Sequence, residues 1–301
     1  MSWKLSATGS KGEIEAALER RETTIGWDEN IVLSGFEIDP DQPDTWQLDA
    51  YLEGKPTEVE RKAVRALFDS RIPRLKTEEL PETDWVVESQ KGVDPVSEGR
   101  FYVRTPDHAA PDGPDVVDFV IPAAQAFGTG QHETTSGCLA MLEAMKAQGV
   151  VARNIADIGT GTGLLAFAAM ELWPRARTIA SDIDPVCEDA VIGNALANRI
   201  PLGTGRGDLA FTVAGGLDDP LLAGRAPYDL IIANILAGPL IELAPDFGAA
   251  LAPRGNVLLS GLLTTQKKAV CAAYRRAGLR LQASLVRGDW SILWLRQRYR
   301  G

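Results

Sequence analysis

No stretch of this chain approaches the roughly 20 apolar residues that a membrane-spanning helix needs. The longest candidate, from Leu230 to Leu240, is broken by Asn234 and Pro239. The opening residues, MSWKLSATGSKGE, hold no apolar block behind their first lysine, so they signal neither export nor insertion, and a cytoplasmic location is expected. Cysteine is scarce. Cys138, Cys187 and Cys271 are an odd number, widely spaced and set among apolar neighbours, which argues against a disulfide framework and against a zinc site; plain buried thiols are expected, and no metal. Positive charge is in deficit, with 31 Lys and Arg against 41 Asp and Glu and a formal net charge of −10. Direct binding to nucleic acid is therefore disfavoured, whereas the field of an acidic enzyme would speed its encounter with a basic protein.

What is present, 301 residues of ordinary soluble composition, is enough for two domains. Residues 1–54 read as a small α+β unit: SWKLSAT is strand-like, residues 12–21 are helical, and IVLSGFEI and TWQLDAYL alternate as half-buried strands do. TEVERKAVRALF opens with a Thr cap and a Glu three residues on, then runs as an amphipathic helix; it reads as a connector spanning 55–72. The second domain, 73–301, begins with strand-like DWVVES, RFYVRT and DVVDFVI around a turn-rich segment. Beyond residue 127, apolar strands near 154–157, 178–182, 228–234 and 256–260 alternate with helices near 134–148, 164–173, 185–198, 239–251 and 264–277. That alternation predicts an α/β, Rossmann-like fold: a doubly wound, mostly parallel sheet. LRLQASLV and WSILWLRQ, parted by a short Gly-Asp turn, should form an antiparallel hairpin at its edge.

The first strand of the regular region ends in Asp157-Ile-Gly159-Thr-Gly161-Thr-Gly163 and leads straight into a helix. Glycines at alternate positions allow a tight turn and close approach of a ligand to the main chain. Counting from Gly159, a dinucleotide fingerprint would want glycine where Leu164 stands, so a nicotinamide site is not indicated. A carboxylate at Asp157 would repel a pyrophosphate but suits the ammonium of a methionine moiety, which favours S-adenosylmethionine. The alternative is a tight βα turn with no ligand.

The next strand ends in Asp182, where a carboxylate can accept both hydroxyl hydrogens of a ribose; Asp184, before Pro185, reads instead as the cap of the following helix. Asn234 closes the hydrophobic strand YDLIIAN, at the end of the sheet where open α/β folds hold ligands, and its amide oxygen could accept from a substrate amine. It could also serve only a turn. The stretch Phe127-Gly-Thr-Gly-Gln-His132-Glu-Thr-Thr135 carries two glycines, two adjacent hydroxyls and a histidine, more than a helix start requires, although Thr134 or Thr135 could simply cap the helix.

In order along the chain, FGTGQHETT, DIGTGTGLLAFAA, SDIDP with NALAN, ANILAGPL, LLSGLL and GDW resemble the methyltransferases of ribosomal large-subunit protein eleven, the PrmA family. The resemblance covers about residues 126–296, and its FGTG block is more specific than the glycine turn. Where the family usually has Pro-Gly-Met before FGTG, this chain has Pro122-Ala-Ala-Gln125. The resemblance implies a seven-stranded methyltransferase domain behind a small N-terminal domain that recognises the ribosomal protein. It also implies methylation of lysine side chains and the α-amine, and cofactor contacts from Thr135, Gly159, Asp182 and Asn234. With the residue-level reading, Asp157, Gly161 and Gly163 complete the expected cofactor site, Asn234 is the expected catalytic residue, and a monomer is expected. Two other readings stay open on the residues: a methyltransferase for another protein, an RNA or a small molecule, and a non-catalytic binding module on the same scaffold. A planar-nitrogen substrate is disfavoured, because Asn234-Ile-Leu-Ala237 stands where an N-P-P-Y type of tetrapeptide would be.

Overall fold

The computed structural model describes residues 2–24, 27–28, 31–38, 45–68, 74–80, 94–113, 115–122 and 131–298. They form two compact units that divide between Glu88 and Ser89. The predicted strand DWVVES and the Phe127–Gly130 segment lie outside the described residues.

In the first unit, β1 (Ser2–Ser10), β2 (Val32–Glu37), β3 (Thr45–Glu53) and β4 (Lys76–Leu80) form an antiparallel sheet in the order β2-β3-β1-β4. The register sets Leu5 opposite Ala50 and Ala7 opposite Leu48, so that all four turn to one buried face. The helix Lys11–Thr23 begins with a capping box between Ser10 and Glu13 and buries Ile14 and Ala17 against that face. The helix Glu58–Ala66 has the predicted box, between Thr57 and Glu60, but it is not a connector. Its Val64 and the following Leu67 are buried in the same core, and β4 then returns to pair with β1. The first unit therefore runs past the expected boundary at 54, because its sheet is completed only by residues 76–80.

The second unit opens with a small sheet of β5 (Val96–Glu98), β6 (Phe101–Arg104) and β7 (Val117–Val120). The side-chain amide of Asn198 both donates to and accepts from the backbone of Val120, tying β7 to the main body. The main sheet comprises β8 (Asn154–Ile158), β9 (Arg177–Asp182), β10 (Leu209–Val213), β11 (Tyr228–Asn234), β12 (Leu251–Leu263), β13 (Leu279–Arg287) and β14 (Trp290–Gln297). Its order is β10-β9-β8-β11-β12-β14-β13, parallel from β10 to β12 and antiparallel beyond, with the predicted hairpin at the edge. Every residue of β8 is buried, as a strand covered on both faces must be. One apolar cluster, including Leu139, Leu142, Phe167, Leu230 and Leu258, fills one side of the sheet; a second, including Ile231, Phe247, Val257 and Tyr274, fills the other.

Two predicted elements differ in detail. The helix expected over 239–251 is two, Ala237–Glu242 and Ala244–Ala250, because Pro245 at the start of the second cannot donate into the first. Thr134 and Thr135 are not caps: the helix Gln131–Ala147 starts before them and buries both. No described helix is long and apolar enough to cross a membrane.

Candidate active site

Strand order reverses beside β8. The chain steps outward from β8 to β9 and β10, then returns to lay β11 against the other side of β8. Connections leaving the carboxyl ends of β8 and β11 therefore run in opposite directions and leave a crevice between them. Asp157 and the glycine turn stand at the end of β8, Asp182 at the end of β9 and Asn234 at the end of β11, so the fold gathers these sequence-predicted residues along one edge. The helix carrying Thr134 and Thr135 reaches the same place, with Asn234 Nδ2 donating to Thr134 Oγ1 at 3.4 Å.

The turn after β8 is stitched to β9. Gly159 and Thr160 N–H donate to the Ser181 carbonyl at 2.8 and 2.9 Å, and Gly161 N–H donates to Asp182 Oδ2 at 2.9 Å. The other carboxylate oxygen, Asp182 Oδ1, accepts from Asp184 N–H at 3.1 Å. The Cys187 thiol also bonds this half-buried carboxylate, which is thus fixed in place with acceptor capacity remaining. Asp184 accepts from Val186 N–H in the turn that leads into the helix Val186–Ala197, whose cap position is Pro185 rather than the expected Asp184. From the other side, Asn194 Nδ2 donates to the Thr162 carbonyl.

The three glycines serve two different ends. All have positive φ, 70°, 57° and 86° for Gly159, Gly161 and Gly163. A Cβ at Gly159 would run into Ile235, just past β11, and one at Gly163 would lie 2.7 Å from the Phe167 ring. Those two are glycine because protein packs against them. At Gly161 a Cβ would meet nothing within 4 Å, so this is the position whose backbone faces open space.

Asp157 lies beneath the turn and is only 1% exposed, rather than standing at an open mouth. Its Oδ2 accepts from Thr160 Oγ1 at 2.6 Å and from Ala166 N–H at 3.1 Å, while Oδ1 is buried with no hydrogen-bond partner. Burial pushes this carboxyl up to about 7, with the Asp182 charge adding to the rise and the two hydrogen bonds opposing it. The thiols offer no nucleophile: burial pushes Cys138 up to about 12 and Cys187 up to about 11. No group of described His, Cys, Asp or Glu side chains could hold a metal ion.

Sequence reasoning missed two members of the site. Thr160 follows Asp157 at the three-residue spacing of a local side-chain bond, which is a readable signal. Ile183, directly after Asp182, is 76% exposed, a bare apolar surface beside a carboxylate held in place by two backbone N–H groups. An apolar residue between two acids was its only mark in the sequence.

Comparison with known proteins gives this arrangement its family. The sequence model of ribosomal protein L11 methyltransferase (PrmA) matches residues 1–298. The chain belongs to that family. The ribosomal protein L11 methyltransferase of Agrobacterium fabrum is 38% identical over 273 residues, covering 90% of each chain, and that of Rhizobium rhizogenes is 36% identical over 294 residues, covering 97% of this chain and 98% of its relative. A crystal structure of ribosomal protein L11 methylase from Lactobacillus delbrueckii subsp. bulgaricus superposes with a TM-score of 0.58 at 27% identity, over 69% of this chain and 100% of that one. L11 methyltransferase family membership thus reaches the N-terminal third as well as the segment 126–296 that carried the resemblance.

The turn predicts a contrast in stability. Gly161→Ala should cost the folded protein about 1–2 kcal/mol for positive φ alone, whereas Gly159→Ala adds overpacking against Ile235 and should cost about 2–5 kcal/mol; urea denaturation of both variants checks the order. Asp157 predicts a pH dependence. Because its folded value, about 7, lies above its ordinary 3.8, the native state holds this proton more tightly and the carboxyl's contribution to stability falls as pH rises between those values. Asp157→Asn should therefore gain on the wild type from about pH 4 to about pH 7 and keep a constant advantage above, in urea titrations of the ligand-free protein.

Proposed function

We propose that this enzyme transfers methyl groups from S-adenosylmethionine to lysine side-chain and N-terminal amines of ribosomal protein L11. One observation carries the reading: the reversal point of the sheet brings a glycine turn with one open α-carbon, a pinned carboxylate with free acceptor capacity and a strand-end amide to a single crevice. The residues fit the cofactor. Asp182 would take the ribose hydroxyls, Ile183 would lie against the base, and the backbone of the Gly159–Gly163 turn with Thr135 would hold the methionine portion. Asp157, with a buried oxygen left without a donor, supplies negative charge from beneath the turn for an ammonium or sulfonium above it. Bound there, S-adenosylmethionine supplies a methyl group on positively charged sulfur, open to in-line displacement by an amine.

The chain's own work is alignment and proton management. Nearly in-line contact at about 3–3.5 Å can supply several kcal/mol of the barrier. Asn234 turns its Nδ2 to Thr134, which leaves Oδ1 to accept an amine hydrogen and point the nitrogen lone pair away from the strand. The amine must be neutral. For a lysine near pKa 10.4 that costs about 3.4 units at pH 7, roughly 4.6 kcal/mol, against roughly 1.4 kcal/mol for an α-amine near 8, so the N-terminus is the easier target. Water takes the proton.

Incubating the purified chain with L11 and methyl-labelled S-adenosylmethionine, followed by mass spectrometry, tests the reading: label on L11 lysines and its α-amine is expected, and label on another protein or on RNA would overturn the substrate. Asn234→Ala should lower kcat by about 10²-fold while S-adenosylhomocysteine affinity stays within about threefold; near-full turnover would remove Asn234 from the reaction.

A further inference from the structure

At the opposite, amino-terminal edge of the same sheet lies a cavity of about 760 Å³, within the roughly 300–1,000 Å³ usual for small-molecule sites. It is bordered by Arg153, Asn154, Arg175, Arg177, Arg206 and the turn at Thr204. The backbone forces these arginines together. Asn154 and Arg177 are partners across β8 and β9, Arg177 N–H donates to the Arg153 carbonyl at 2.9 Å, and Gly207 N–H donates to the Ala176 carbonyl at 2.8 Å, bringing Arg206 beside Arg175 and Arg177. A fifth, buried Arg225, braces the floor by donating to the carbonyls of Thr178 and Thr204. The two nearby carboxylates are engaged with backbone: Asp229 accepts from Arg153 and Asn154 N–H, and Asp208 accepts from Gly205 N–H. The four rim arginines are exposed and form no ion pair with any described residue.

Four guanidinium groups without an ion-pair partner stand around one cavity in a chain of net charge −10, where they repel one another. Guanidinium forks match phosphate oxygens in geometry and charge. We propose that this cavity binds a polyphosphate group, free or carried by a nucleotide, with its phosphates on Arg153, Arg175, Arg177 and Arg206. The site is separate from the methyl-transfer crevice: five residue steps along β9 at about 3.3 Å each put Arg177 roughly 17 Å from Asp182.

Calorimetry on the full chain in the presence of S-adenosylhomocysteine, with ATP, tripolyphosphate, adenosine and a short oligoribonucleotide as probes, tests this at low salt. ATP and tripolyphosphate should both bind, adenosine should give no heat, and Arg177→Ala with Arg206→Ala should weaken both by about tenfold or more while circular dichroism and methyl transfer stay unchanged. Absence of heat with both ATP and tripolyphosphate would overturn the proposal. So would equal ATP affinity in the double variant, or displacement of ATP by S-adenosylhomocysteine. Tighter binding of the oligoribonucleotide than of ATP would assign the arginines to an RNA chain and overturn the small-ligand reading.

Discussion

A parallel sheet that adds strands first to one side of β8 and then to the other cannot close the gap at its reversal point. Helices leaving β8 and β11 depart on opposite faces, and the space between their carboxyl ends is left to be filled by loops or by a ligand. The site follows from that topological constraint. The turn after β8 must double back under the end of β9, which is why it bonds to Ser181 and Asp182 and why its residues take positive φ. It must also pass close to the chain leaving β11, which is why Gly159 has no room for a side chain beside Ile235.

Asp157 shows how this geometry couples folding to function. A carboxylate sealed under the turn holds Thr160 and Ala166 in place, and so shapes the start of the helix Leu164–Leu172. The same burial raises the cost of its charge. The group thus makes the ligand-free protein less stable near neutral pH than an amide of the same shape would, a cost that a cation bound above the turn, as proposed, would offset. Retaining it is consistent with a site selected for binding positive charge rather than for stability.

The sequence made the large pattern readable and left smaller parts hidden for physical reasons. The alternation of apolar strands with helices located β8, β9, β11 and β12, and the Gly-Asp turn placed the closing hairpin, because hydrophobic period and turn chemistry are local properties. β10, only five residues with little alternation, and the short helix Pro220–Arg225 gave no such signal. The helix Glu58–Ala66 was legible as a helix, capping box included, but its partner was not, since β4 pairs with β1, from Ser2 opposite Leu80 to Ser6 opposite Lys76, across a long stretch of chain. At the site, Asp182 could be separated from Asp184 by its position at a strand end. What separates Gly161 from Gly159 and Gly163 needed coordinates, because all three look alike in the string Gly-Thr-Gly-Thr-Gly and only their neighbours differ.

The central claim, that the crevice beside β8 is built for a sulfonium nucleoside, is tested most directly by a crystal structure with S-adenosylhomocysteine. The account predicts ribose hydroxyls within about 3 Å of the Asp182 carboxylate and the amino-acid portion over the Gly161 backbone. Nucleoside density elsewhere on the chain, or a crevice left empty at saturating ligand, would contradict it.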